Sequence, residues 1–146
     1  MTASRRGQLR RFVLDANALV SLLEDRPGAA ARVRRLIEEA SRNEQPILLS
    51  AVNWGEVFYI AWRLHGELRA LEAEAKLRQL PIVVVAADRD RATRAAAIKQ
   101  KHSLGYADSF AAELAIERGA WLATADPEFS KVGKALAVYP LRRHEK

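Results

Sequence analysis

The sequence predicts an α/β sandwich built on a largely parallel sheet. Short apolar runs recur along the chain at Phe12–Leu14, Ile47–Leu49, Ile82–Val85, Trp121–Ala123 and Ala137–Tyr139. The stretches between the first four carry apolar residues at helical spacing, the alternation that builds parallel sheets through helical crossovers. No internal repeat, low-complexity tract or linker interrupts the pattern, so residues 1–146 read as one domain, long enough to bury a core.

Each element has a local reason. Phe12–Leu14 is the first strand and stops at Asp15. Helical pattern follows over Ala18–Leu23, and Pro27-Gly28 turns the chain. A second helix is expected over Ala29–Ala40, with Val33, Leu36 and Ile37 as its apolar stripe. The polar stretch Ser41–Pro46 is a loop, and Ile47–Leu49 a short buried strand. Ser50 stands where an N-cap belongs, before a helix carrying Val52, Glu56, Val57, Ile60 and Ala61. His65-Gly66 closes that helix, and strong helix formers fill Glu67–Leu80 up to Pro81.

Ile82–Val85 is a β-branched run with little room for a polar face, the pattern of a strand covered on both sides. Asp88–Lys101 is a basic, alanine-rich helix, His102–Gly105 a loop, and Tyr106–Arg118 an amphipathic helix ended by Gly119. Trp121–Ala123 is a strand, Pro127–Lys134 a turn with a short helix, and Ala137–Tyr139 the last strand. Loose ends are expected over residues 1–7 and 142–146.

Composition narrows the function. With 49% hydrophobic and 29% charged residues the chain reads as a soluble globular protein. It has no cysteine, which excludes disulfides, thiol nucleophiles and thiolate zinc sites. No apolar run approaches the roughly 20 residues that span a bilayer, and the basic start MTASRRGQLRR leads into a run broken by Asp15 and Asn17 rather than a signal-type segment. A cytoplasmic location is expected. Lys and Arg number 24 against 18 acids, a formal charge of +6 that favours polyanionic partners, nucleic acid first.

Four acids stand out against this basic background. Asp15 in FVLDANALV, Glu56 in VNWGEVFYIAW, Asp108 in LGYADSFAAELA and Asp126 in WLATADPEF each end an apolar run or interrupt an apolar helical pattern. An ionised carboxylate on a core-facing stretch is costly unless something compensates it. Four of them can share only protons or a cation, and carboxylate oxygens select hard ions such as Mg²⁺ or Mn²⁺. In open parallel sheets active sites form beyond the C-terminal ends of the strands. Asp15 and Asp126 follow strands directly, while Glu56 and Asp108 lie early in helices, so all four can face that edge. A metal-dependent hydrolase is the leading expectation, with a phosphodiester as the bond cut. Asp15 and Asp126 are expected as direct ligands, Asp108 directly or through water, and Glu56 through water or as the residue that orients the nucleophile. Singly, each acid also reads as a cap, a turn residue or a surface charge.

Asn17 and Thr124, each two positions from a strand-end Asp, are expected to support the carboxylates, with capping or a local bond as the competing roles. Arg89, Arg91, Arg94, Lys99 and Lys101 form a basic segment, either a solvated helix face or an RNA-binding flank. His65, His102 and His144 show no paired metal spacing, and Trp54, Trp62 and Trp121 fall in apolar patterns expected of core or interface.

DANALV, NWGEVFYIAWRLHG, GYADSFAAELAIERGAWLATADPEF and the order Asp, Glu, Asp, Asp resemble the PIN-domain ribonucleases, and within them the VapC toxins of type II toxin–antitoxin systems. The resemblance runs from Phe12 to about Leu141, and its most specific piece is Thr124 to Phe129. It implies a three-layer α/β/α sandwich, Mg²⁺ or Mn²⁺ bound by Asp15, Glu56, Asp108 and Asp126, cleavage of tRNA or ribosomal RNA, a cognate antitoxin and a homodimer. Ala125 stands where the family often has Gly, and Glu128 is either an additional acid near the pocket or a helix N-terminal charge.

Other classes are weighed against it. A receiver-like signalling module would use Asp88 as phosphoacceptor and Thr124 as switch, but lacks the adjacent acidic pair and the Lys after the last strand. A non-catalytic RNA-binding domain would leave the acids structural. A dinucleotide enzyme is disfavoured because no GxGxxG follows the first strand.

Overall fold

A computed structural model describes residues 10–142. The termini expected to be loose fall outside these residues, apart from Arg142, which is exposed. His144 also lies outside them.

Five parallel strands form one sheet in the order β3-β2-β1-β4-β5: β1 (Phe12–Leu14), β2 (Ile47–Ser50), β3 (Ile82–Val85), β4 (Trp121–Thr124) and β5 (Val138–Pro140). The connections are α1 (Ala16–Leu23) and α2 (Ala29–Arg42), then α3 (Ala51–His65) and α4 (Glu67–Leu77), then α5 (Arg89–His102) and α6 (Tyr106–Arg118). A 3₁₀ segment, Pro127–Ala135, joins β4 to β5.

Strand alternation divides the core in two. Phe12, Leu14, Ile47 and Leu49 point to one face and pack with Leu19, Val33, Leu36, Val57 and Leu77 from α1 to α4. Val13, Leu48 and Leu122 point to the other, against Ala111, Leu114 and Ala115 of α6 and Phe129 of the 3₁₀ segment. The architecture is thus helices over both faces of a parallel sheet, three layers as expected.

The differences from the sequence reading lie at ends and edges. Helix α1 begins two residues early because Asp15 is its cap, with Oδ1 accepting from the Ala18 amide at 2.8 Å. Helix α4 stops at Leu77, three residues short of Leu80, since the residue before Pro81 disfavours helix. β3, the β-branched run that looks covered on both sides, is one of the two edge strands, and Val83 and Val84 remain 45% and 41% exposed.

Candidate functional site

β1 and β4 lie side by side at the centre of the sheet, yet the chain leaves β1 toward β2 and leaves β4 toward β5 on the opposite side. Connections that diverge in this way open a crevice at the C-terminal ends of the two strands. Leu14 is in register with Ala123, so Asp15 and Thr124 come next to each other at that crevice. The Thr124 hydroxyl donates to Asp15 Oδ2 at 2.5 Å and accepts from the Asp126 amide at 2.9 Å. One hydroxyl therefore fixes both strand-end acids. Asp126 also caps the 3₁₀ segment, with Oδ1 accepting from the Glu128 amide at 2.9 Å.

Glu56 and Asp108 reach the crevice from helices. Ser50 starts α3 directly after β2, its hydroxyl accepting from the Val52 amide. One turn on, fully buried Asn53 donates from Nδ2 to the Ala107 carbonyl at 3.1 Å. This bond ties α3 to the first turn of α6, beside Asp108, and Asn53 stands one turn before Glu56 on the same helix. Gly105 precedes α6, and a Cβ there would stand 3.2 Å from Asp108 Oδ2. The absence of a side chain lets that carboxylate fold back over its own helix start. Sequence reading missed Asn53; its signal is an amide in an apolar helical pattern, three residues before Glu56.

The electrostatics show one shared field. Burial pushes Asp15 up to about 7 against the opposing Thr124 and Ala18 hydrogen bonds, with repulsion from Asp108 and Asp126 adding to the rise. Burial, then repulsion from Asp126, Glu56 and Glu128, raises Asp108 to about 6. Burial raises Glu56 too, opposed by the Asn53 side chain. Glu128 thus acts on the site electrostatically while pairing with Lys131. Asp15, Asp108 and Asp126 feel one another's charge, Asp108 also feels that of Glu56, and among the described residues none of the four is in an ion pair.

Hard oxygen donors without cationic partners suit a hard divalent cation. Among the described residues no group of three or more His, Cys, Asp or Glu side chains is placed so that it could hold a metal ion. Bare carboxylates that repel one another are expected to stand apart in this way.

Other predicted residues are placed more variously. Asn17 lies one residue into α1, with its Oδ1 covered and without a partner among the described residues. Arg91 donates from Nη1 to both oxygens of buried Glu113 at 3.2 Å and from Nη2 to Glu117 at 3.0 Å. Arg94 Nε donates to Glu113 at 2.9 Å, and Lys99 Nζ to the Leu104 carbonyl at 3.0 Å. Of the five basic residues, Arg89 and Lys101 are exposed and have no such engagement among the described residues. The receiver reading fails on topology: Asp88 follows the edge strand, away from the crevice, and spends its carboxylate on the Arg91 amide as the α5 cap. His65 pairs with Glu24 at 2.6 Å on the surface, and Trp62 is 46% exposed.

Fold and crevice define a parallel α/β domain with an acidic centre at its topological switch point. The chain belongs to the PIN domain family, whose model matches residues 12–135. It is similar in structure to VapBC2 from Rickettsia felis, solved with a DNA fragment from its promoter, at TM-score 0.73 and 16% identity over 88% of this chain and 97% of that one. DNA-bound VapBC from Salmonella typhimurium gives TM-score 0.69 and 18% identity over 92% and 100% of the two chains. VapC20 from Mycobacterium tuberculosis, a toxin that cleaves the sarcin–ricin loop, gives TM-score 0.68 and 17% identity over 84% and 95%. At these identities the likeness is one of fold. No sequence match is found among curated proteins.

Proposed function

We propose that this chain is a Mg²⁺- or Mn²⁺-dependent endoribonuclease that acts as the toxin of a VapBC-type pair, hydrolysing phosphodiesters in tRNA or ribosomal RNA. The observation that carries the reading is the crevice itself: four acids at the switch point of a PIN fold, three of them with raised pKa values, and no ion-pair partner among the described residues. A divalent ion bound there supplies charge to offset the phosphate and lowers the pKa of water.

The chain's own residues set the geometry. Asp15 and Asp126 are held by the Thr124 hydroxyl and by their two caps, which leaves Asp126 Oδ2 without a hydrogen-bond partner among the described residues. They are the assigned direct ligands. Asp108 joins them from α6, and Glu56, one turn after Asn53, faces the cluster from α3, where it orients the attacking water. Asn17 supports the rim.

A protein partner has a surface to dock on. Tyr59, Trp62 and Leu64 of α3 and Leu68 and Leu71 of α4 are exposed large apolar residues on one helical hairpin. Apolar patches of this kind mark interaction sites, which supports a cognate antitoxin and a homodimer as partners. No helix among the described residues is long and apolar enough to cross a membrane.

The test is incubation of purified toxin, freed of any co-purifying antitoxin, with total cellular RNA with and without Mn²⁺, followed by sequencing of new 5′ ends. Discrete cuts that need Mn²⁺ and vanish in Asp15→Asn are expected. Absence of cuts, or equal cutting by Asp15→Asn, defeats the reading.

A further inference from the structure

Beside the acidic crevice lies a cavity of opposite character. It has a volume of about 370 Å³ and is lined by Asn17, Ser21, Arg26, Ala125 and Arg142, among others. It adjoins the acids at two points of the chain: Asn17 is two residues past Asp15, and Ala125 lies between Thr124 and Asp126. A second cavity of about 420 Å³, lined in part by Asp126, Phe129 and Ser130, shares Ala125 and Arg142 with the first. Arg142 therefore stands where the two meet.

Two features of the first cavity have no structural account. Asn17 and Ser21 sit one turn apart on the same face of α1, and Asn17 Oδ1 and Ser21 Oγ are covered and have no hydrogen-bond partner among the described residues. Ser21 is 1% exposed. Buried polar groups are almost always paired, so two orphans on one cavity wall ask for a ligand. Arg26 and Arg142 are both exposed and have no ion pair among the described residues. Guanidinium forks suit phosphate oxygens. An amide and a hydroxyl together suit a group that both donates and accepts, as a ribose 2′-hydroxyl does.

We propose that this cavity seats the nucleotide next to the scissile phosphodiester, its phosphate held by Arg26 and Arg142 and its ribose hydroxyl by Asn17 and Ser21. The proposal rests on the ribonuclease reading of the adjacent crevice and adds to it a source of RNA-over-DNA preference. Carboxylates repel every phosphate of the strand except where a cation intervenes, so a neighbouring cationic seat is what fixes the strand's register.

The test uses the full chain carrying Asp15→Asn, which under the nuclease reading leaves RNA intact. Fluorescence anisotropy compares a labelled ten-nucleotide RNA with DNA of the same sequence over a range of salt. Adding R26A and R142A together should weaken RNA binding about tenfold and lower the slope of log K against log salt by about 0.7, the share of one phosphate on a single strand. Adding S21A should weaken RNA binding and leave DNA binding unchanged, with circular dichroism confirming an intact fold in each variant. In parallel, R26A/R142A in the otherwise native chain should raise KM for RNA cleavage with kcat nearly constant. If the native chain cuts RNA while both variants bind and cut as well as their parents, the cavity proposal falls and the nuclease reading stands. If the native chain cuts nothing, the nuclease reading fails on its own. Should R26A/R142A lose only its capture of an acidic peptide and bind RNA normally, the occupant is a protein carboxylate and the proposal is overturned.

Discussion

Thr124 donates its hydroxyl hydrogen to Asp15 Oδ2 across 2.5 Å, bridging the ends of the two central strands. The same oxygen accepts the Asp126 amide, so one side chain sets the spacing of two assigned ligands. It is also the largest influence holding the buried Asp15 carboxyl down, against the rise that burial imposes. Thr124→Val keeps the shape and removes both bonds. Stability should fall by about 1–3 kcal/mol, and cleavage at pH 7 should fall at least tenfold. The deficit should narrow at pH 9, where Asp15 ionises without help, and Thr124→Ser should restore most activity. Wild-type rates for Thr124→Val at pH 7 would remove Thr124 from the site.

Asp15 makes a prediction of opposite sign for stability. Its carboxyl titrates near 3.8 in the unfolded chain and near 7 when folded. Between those values the folded protein holds the extra proton, so this group's contribution falls as pH rises from about 4 to 7 and stays low above. Without metal, Asp15→Asn should therefore be more stable than the native chain at pH 8, by about 2–4 kcal/mol, and indistinguishable at pH 4. Urea denaturation in EDTA at the two pH values measures this. A variant less stable than the native chain at pH 8 would mean that Asp15 is already compensated.

The same acids link cation affinity to pH. Asp15 and Asp108, raised to about 7 and about 6, must give up protons before they can bind a cation. Mn²⁺ should bind more tightly as pH rises from 5 to 8, releasing protons that calorimetry in buffers of different ionisation enthalpy can count. Millimolar Mn²⁺ should raise the Tm of the native chain at pH 8 and leave Asp15→Asn nearly unmoved. Equal shifts in both proteins would place the ion elsewhere.

What could be read in advance follows from how each residue's signal arises. The parallel sheet and its five strands were legible because each strand is a local run of apolar residues. Asp15 and Asp126 were legible because a carboxylate at the end of such a run conflicts with burial. Asn53 was not, since a single amide in a helical stretch resembles a surface residue until its tie to the Ala107 carbonyl, 54 residues away in sequence, is seen. The exposure of Val83 and Val84 depends on strand order, which local pattern does not encode. The basic segment was visible as charge, but the destination of Arg91 was not. Glu113, its buried partner, lies 22 residues on and looks like any acid on an amphipathic helix.

That ion pair separates folding from RNA contact. Glu113 is 2% exposed and held by Arg91 and Arg94. Removing one partner of a buried pair strands the other charge. Arg91→Ala should cost about 3 kcal/mol, whereas exposed Arg89→Ala should leave stability within about 0.5 kcal/mol. Thermal melts of the two variants decide it. Equal melts would show that Arg94 alone suffices for Glu113 and that Arg91 is available to RNA.

Gly105 gives the finest test of the site's geometry. Its backbone, at φ −59° and ψ 154°, is one any residue adopts, so an alanine there meets no backbone strain. The added methyl would instead sit 3.2 Å from Asp108 Oδ2, tighter than ordinary contact, and the carboxylate must yield by a few tenths of an ångström. Stability should change little, because the weaker cap offered by alanine is offset by the smaller entropy of its unfolded chain, each worth about 0.5 kcal/mol. Catalysis is less forgiving of displacement than folding is. Gly105→Ala should bind Mn²⁺ more weakly and lower kcat/KM about three- to tenfold, with an unchanged Tm in EDTA. Gly105→Ser, which adds a hydroxyl at the same place, should lower it further. Unchanged Mn²⁺ affinity and kcat/KM in both variants would show that Asp108 binds no ion from the position it occupies over the α6 N-terminus.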